Sequence, residues 1–151
     1  MINGPVLVTG ANGFIASRLV PRLLRGGYSV RVLVRRPESL AGRAWLPEVD
    51  VRAGSTTNDA SLGPAMEGVH TAYYLIHSMS SGGGYTEVER QSAQRFAAAA
   101  EAAGLQHIIY LGGLADPRDP HLAPHMRSRI ETGAMLRQGQ VPVTEFRAGG
   151  I

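Results

Sequence analysis

The chain has 151 residues, 44% hydrophobic and 18% charged, with a formal net charge of +3. That length suffices to bury a core within one domain, and no apolar run approaches the roughly 20 residues that span a bilayer. Cysteine is absent, which excludes disulfides, thiol nucleophiles and iron–sulfur ligands. The arginines are dispersed and often stand beside acids, so a nucleic-acid partner is not expected.

Residues Met1 to Pro5 carry neither a basic region nor a cleavage site and lead straight into an apolar run. No signal peptide is read there, and a cytoplasmic location is expected. Val6-Leu7-Val8-Thr9 reads as a short buried strand, followed by Gly10-Ala11-Asn12-Gly13-Phe14-Ile15-Ala16. The spacing G-x-x-G-x-x-A, between a strand and a helix, suits a phosphate cradle. Gly10 allows a sharp turn at positive φ. Gly13 leaves room for a pyrophosphate at the helix N-terminus, Ala16 lets helix and strand pack closely, and Asn12 is a natural N-cap.

Phe14, Ile15, Leu19, Val20, Leu23 and Leu24 recur at helical spacing, with Arg18, Arg22 and Arg25 on the opposite face. Pro21 falls inside this helix and Gly26-Gly27 ends it. Ser29 to Val34 predicts a second buried strand. Arg35-Arg36 follows where a dinucleotide site reads the adenosine ribose, and an arginine fork there favours the 2′-phosphate of NADP over the free hydroxyl of NAD.

Ser39 to Leu46 reads as a weak helix or irregular segment, and Val49 to Ala53 as a third strand. A loop at Gly54-Ser55-Thr56-Thr57-Asn58 precedes a short helix, Asp59 to Glu67. His70 to Ile76 is the fourth strand. The polar stretch Ser78 to Gly84 is placed as a loop bordering a substrate site. Tyr85 to Ala103 is an alanine-rich helix stopped by Gly104, and His107 to Leu111 a fifth strand. Gly112-Gly113 is read as loop. A helix from near Pro124 to Gln138 and a strand from Val143 to Arg147 complete the pattern. Alternating strands and helices imply one doubly wound α/β domain over residues 1–151, with about six parallel strands in the order 3-2-1-4-5-6 and helices on both faces.

On Thr9 to Ala16, Val32-Leu33-Val34-Arg35, the Gly54 loop, Tyr110-Leu111-Gly112 and Phe146-Arg147-Ala148-Gly149, the whole chain resembles the atypical short-chain dehydrogenases/reductases. It is most similar to the NmrA-like and nucleoside-diphosphate-sugar-epimerase-like branch. The resemblance implies that Gly10, Asn12, Gly13, Phe14 and Ile15 cradle the pyrophosphate and that Arg35 meets the adenosine phosphate. It places Ser55 and Thr56 beside adenine, although Ser55 stands where the family often has aspartate. It also places Leu75, Ile76 and His77 beside the nicotinamide ribose. Relatives continue past the sixth strand into a substrate-closing region, so the resemblance implies that this chain is the cofactor half of a longer protein or an unusually minimal member.

Typical members of the superfamily use a serine after the fifth strand and a Tyr-x-x-x-Lys pair on the next helix. Here the serine position falls in Leu111-Gly112-Gly113, and His125-Met126-Arg127-Ser128-Arg129 occupies the Tyr-x-x-x-Lys slot. All 15 basic residues are arginine, so no lysine can tune a tyrosine. His125 and Arg129, one helical turn apart, are the candidate substitute pair. His121 and His125 share a zinc-like spacing, but Pro124 interrupts the turn between them and no metal is expected. The leading expectation is an NADP-dependent oxidoreductase passing hydride to a carbonyl, quinone or flavin acceptor. The alternatives are an NADP(H)-sensing regulator without catalysis, which acts through a protein partner, and a sugar-nucleotide epimerase or dehydratase.

Overall fold

In the computed structural model, which describes residues 2–77 and 85–149, the apolar runs form six parallel strands. They are β1 (Val6–Thr9), β2 (Val30–Val34), β3 (Asp50–Ala53), β4 (Thr71–Tyr74), β5 (His107–Gly113) and β6 (Val143–Ala148). Four helices connect them: α1 (Phe14–Arg25), α2 (Asp59–Met66), α3 (Tyr85–Ala102) and α4 (Pro124–Leu136). The order across the sheet is β3-β2-β1-β4-β5-β6, as the strand–helix alternation predicts. The chain winds outward from β1 to β3, then crosses back to β4 on the other side of β1. That reversal leaves a crevice beyond the carboxyl ends of β1 and β4, where open parallel sheets bind ligands.

Every residue of β1 is buried, because both faces of the sheet are covered and a side chain on either face meets a core. Leu7 points into one core with Tyr74, Phe96, Ile108 and Tyr110. Val6 and Val8 point into the other, with Val20, Val32, Leu40 and Trp45. Helix α1 covers the second core through Ala16, Val20 and Leu23, while Leu62, Phe96 and Leu136 from α2, α3 and α4 cover the first. Each fully buried Leu, Val or Phe contributes about 1.5–3 kcal/mol of hydrophobic stabilisation.

Several local readings change. Gly13, not Asn12, is the N-cap of α1, and no side chain caps that end. Pro21 lies inside an unbroken α1, since buried Val20 and Leu23 hold the helix through the missing hydrogen bond. The segment after β2 forms two 3-10 turns, Pro37–Leu40 and Leu46–Glu48. Strand β4 stops at Tyr74 rather than Ile76. Strand β5 runs two residues further than expected, with Gly112 and Gly113 paired to Arg147 and Ala148. Glycine is a poor strand former, but a β-carbon on Gly112 would collide with the Glu145 carboxylate, and one on Gly113 would lie 2.5 Å from Met126 Cε. The stretch Ser78 to Gly84 lies outside the described residues.

Candidate functional site

The turn after β1 is built by two side-chain bonds and two glycines. Thr9 Oγ1 donates to the Tyr73 carbonyl at 3.0 Å and accepts from the Leu75 N–H at 3.1 Å, locking the end of β1 to the end of β4. Gly10 then takes φ +65°, and a β-carbon there would sit 3.0 Å from the Leu75 carbonyl oxygen. Gly13 N–H closes the turn on the Gly10 carbonyl at 2.9 Å. The first turn of α1 contains no acid and its N-terminus has no side-chain cap. Its free N–H groups and the positive end of its dipole are left for an anion.

A pocket of about 410 Å³ opens beside this turn. Its walls are the glycine turn and the start of α1 (Gly10, Gly13, Phe14, Ile15, Ala16), the residues just after β4 (Leu75, His77), the end of β5 (Leu111, Gly112) and Arg129 of α4. Phe14 is 59% exposed and carries the Arg18 guanidinium 3.8 Å above its ring centre, a cation–π contact. The lining thus joins backbone donors and apolar walls to one guanidinium and one imidazole.

His77 and Arg129 set the electrostatics. Burial, reinforced by the nearby Arg129 charge and opposed by a hydrogen bond to the main chain of Leu111, holds the His77 imidazole down to about 4. The ring is therefore neutral at ordinary pH. Arg129 forms no ion pair with a carboxylate among the described residues. Its main-chain carbonyl accepts the Tyr110 hydroxyl at 2.8 Å. Burial pushes that hydroxyl above its usual range, so Tyr110 is a structural donor behind the pocket and not an acid or base in it. Gly113 has a packing role here, because its missing β-carbon would lie 3.2 Å from Arg129 Cδ.

The remaining expected residues divide. Ile76 turns away from the pocket and packs on the core of Tyr74 and Phe96, as strand-like alternation between Leu75 and His77 requires. Asn12 is exposed on the turn, and its carbonyl accepts from Arg43 at 3.1 Å. Arg35 and Arg36 are exposed at the end of β2, and the Arg36 carbonyl starts the first 3-10 turn by accepting from Ser39. Ser55 bonds Thr57 within its own loop. Thr56 is buried, its hydroxyl accepting from Ser92 at 2.6 Å, and Ser92 meets the Tyr74 hydroxyl at 3.1 Å. The Thr56 side chain therefore points into the interior. His125 is exposed in the first turn of α4 and does not line the pocket, whereas Arg129 does. The expected His125–Arg129 pair is thus divided, and His77 is the imidazole beside Arg129. The sequence reading gave Leu111 and Gly112 only as the vacant serine position, whereas both line the pocket. Leu111 and Gly112 could have been found from their position at the carboxyl end of a strand flanking the crevice.

Residues 10–140 match the model of a protein family described as NAD(P)H-binding. The chain belongs to this family. It is 34% identical over 143 residues to the (4-alkanoyl-5-oxo-2,5-dihydrofuran-3-yl)methyl phosphate reductase of Streptomyces griseus subsp. griseus, covering 94% of this chain and 46% of that protein. Among solved structures, a Staphylococcus aureus nucleoside-diphosphate-sugar epimerase has a TM-score of 0.80 at 21% identity, over 95% of this chain and 50% of that one. The Citrobacter sp. triphenylmethane reductase complexed with NADP(H) has a TM-score of 0.76 at 24% identity, over 95% and 48%. The chain spans less than half the length of the curated relatives it matches first.

Proposed function

We propose that this chain forms the nucleotide-binding part of an NADP(H)-dependent oxidoreductase whose acceptor is a carbonyl, quinone or flavin. The observation that carries the reading is the pocket in which the uncapped N-terminus of α1, His77 and Arg129 face one another across the sheet's switch point. The residues fit a dinucleotide. Gly10 and Gly13 keep β-carbons out of the turn, the free N–H groups of α1 suit a pyrophosphate, and Leu75 and Leu111 offer apolar walls. Arg35 and Arg36, with no acid before Glu38, favour the 2′-phosphate of NADP. The reductase character of the Streptomyces relative and the NADP(H) bound by the Citrobacter neighbour support the same choice.

When bound, the nicotinamide supplies the hydride chemistry. The chain's own residues supply orientation and charge. One ring nitrogen of His77 is engaged by the Leu111 main chain, leaving the other to accept from a ribose hydroxyl or a carboxamide. Arg129 places a permanent positive charge where a carbonyl or quinone oxygen gains electron density. Among the described residues lining the pocket, His77 is held neutral and Arg129 carries a permanent charge, so a proton needed by the product comes from solvent. That arrangement suits acceptors whose reduced form is protonated in water.

Stopped-flow absorbance of NADPH against a panel of quinones, flavins and aldehydes tests the reading. Oxidation by at least one class, lost in Arg129→Gln, is expected. A second reading is favoured by the absence of a Tyr-Lys pair from α4: a regulator that binds NADP(H) without turnover. Tight binding with oxidation by no acceptor would decide for the regulator.

A further inference from the structure

Arg129 is held in the pocket wall by contacts with two other elements. Its main-chain carbonyl accepts the Tyr110 hydroxyl of β5 at 2.8 Å, and the Tyr110 ring centre lies 6.3 Å from that of His77. The neighbouring Ser128, 1% exposed, donates its hydroxyl to the buried Glu89 carboxylate of α3. Arg129 Cδ and Met126 fill the space beside Gly113 that a β-carbon would need. These contacts fix the turn of α4 that carries Arg129. Its side chain is thus aimed at the pocket by buried groups of β5 and α3.

Among the described residues no carboxylate pairs with that guanidinium. Apart from Arg129 and His77, the described lining consists of glycines and apolar side chains. The Glu145 carboxylate, packed against Gly112, is bound by Arg137 at 2.8 Å and by Arg147 at 3.4 Å. The pocket therefore holds two sources of positive charge, the start of α1 and Arg129, and no negative one. A pyrophosphate answers the helix N-terminus. The nicotinamide does not answer Arg129, because losing a hydride leaves the ring positive and like charges repel. A fixed cation whose counter-charge is missing from the protein is satisfied by an anionic ligand.

We propose that the acceptor is a 2-oxo acid, whose carboxylate and adjacent carbonyl oxygen are bound together by Arg129. This rests on the dinucleotide reading above and selects the carbonyl class from its acceptors. A guanidinium presents five N–H donors in one plane, so it can grip a carboxylate and still serve another oxygen. The carboxylate and keto oxygens of a 2-oxo acid are close enough to share one guanidinium, whereas a more distant acid group is not. In the reaction the carbonyl carbon accepts a hydride, with its electron pair, from the reduced nicotinamide. The C=O π pair moves to oxygen, which takes a proton from solvent. The products are a 2-hydroxy acid and NADP⁺.

Initial rates with NADPH and two acceptors of similar shape test the proposal: pyruvate, which carries the carboxylate, and methyl pyruvate, which does not. The ester carbonyl is the more electrophilic, so intrinsic reactivity alone favours it. kcat/KM for pyruvate should nevertheless exceed that for the ester by about tenfold or more. Arg129→Gln should abolish that preference, and Arg129→Lys, which keeps the charge and loses the fork, should retain part of it. Oxamate, whose amide accepts no hydride, gives a readout without turnover. By calorimetry it should bind the NADP-loaded chain about tenfold or more tighter than neutral oxamide, and lose that margin in Arg129→Gln. NADP itself should bind the variant within about threefold of the unmodified chain. Indifference to the carboxylate in both rates and binding would overturn the proposal and leave the dinucleotide reading standing. A loss of NADP binding in Arg129→Gln as large as the loss of oxamate would assign Arg129 to the cofactor and also overturn it. Tight oxamate binding with reduction of neither acceptor would overturn hydride transfer and not the carboxylate site. Failure to bind NADP would overturn the proposal and the dinucleotide reading together.

Discussion

Gly10 has two constraints that act on the same atom: its φ is +65°, and a β-carbon would sit 3.0 Å from the Leu75 carbonyl oxygen. Gly27 shares only the first, with φ +80° and open space around it. Gly27→Ala should therefore cost about 1 kcal/mol of backbone strain. Gly10→Ala should cost about 2–3 kcal/mol, because the Leu75 backbone must move as well. Urea unfolding of the two variants checks the difference, and equal losses would contradict the contact with Leu75. His77 makes a pH prediction. Its folded value lies near 4, below the ordinary 6.5, so between those limits the unfolded chain binds more protons. Its contribution is complete above pH about 6.5 and is lost as the pH falls toward 4, by on the order of 2–3 kcal/mol. His77→Gln should flatten that part of the stability curve, and a wild-type curve with no slope assigned to His77 would contradict its burial as a neutral ring. Gly10 was legible in the sequence because the motif states its own mechanism. The inward turn of Thr56 was not, since its partners Ser92 and Tyr74 come from α3 and β4 and no local pattern announces them.

Elements are held in place by a few long side chains as well as by core packing. Arg31 of β2 donates to Asp50 of β3 at 2.6 Å and to the carbonyls of Ala65 and Glu67, at the end of α2, at 3.0 and 2.7 Å. It thereby satisfies carbonyls that a helix end leaves without partners. Arg52 and Arg31, hydrogen-bonded to Asp50, hold its carboxyl below the ordinary range against a partial loss of hydration. Arg31→Leu should lower stability by about 2–3 kcal/mol, because it leaves acceptors unpaired as well as removing bonds. Arg31→Lys should recover part of that. Thermal or urea unfolding checks the ordering, and a loss confined to a few tenths of a kcal/mol would show these bonds to be replaced by water. At this scale the sequence spoke through periodicity. The apolar runs located all six strands, but their ends depended on tertiary contacts. Gly112-Gly113 reads as a loop by propensity and is strand because Glu145, Met126 and Arg129 occupy the space a side chain would need. Ile76 reads as one of three site residues in a row, yet alternation separates it from Leu75 and His77.

For the molecule as a whole, the strand order converts a local motif into a place for a ligand. The alternation of strands and helices implies the switch point, and the switch point brings residues from β1, β4, β5 and α4 to one crevice. Arg129 and His77 are 52 positions apart in the chain, and only the sheet brings them to the same wall. The same holds for Arg43 and Asn12, whose hydrogen bond depends on Leu40 and Trp45 being buried in the core rather than on spacing. On the function proposed above, this crevice binds a dinucleotide and prefers NADP. Direct titration of the chain with NADPH and NADH, followed by fluorescence or calorimetry, tests it most directly. Saturable binding of one nucleotide per chain, tighter for NADPH by about tenfold or more, is the predicted result. Tighter binding of NADH, or no saturable binding of either, would contradict it.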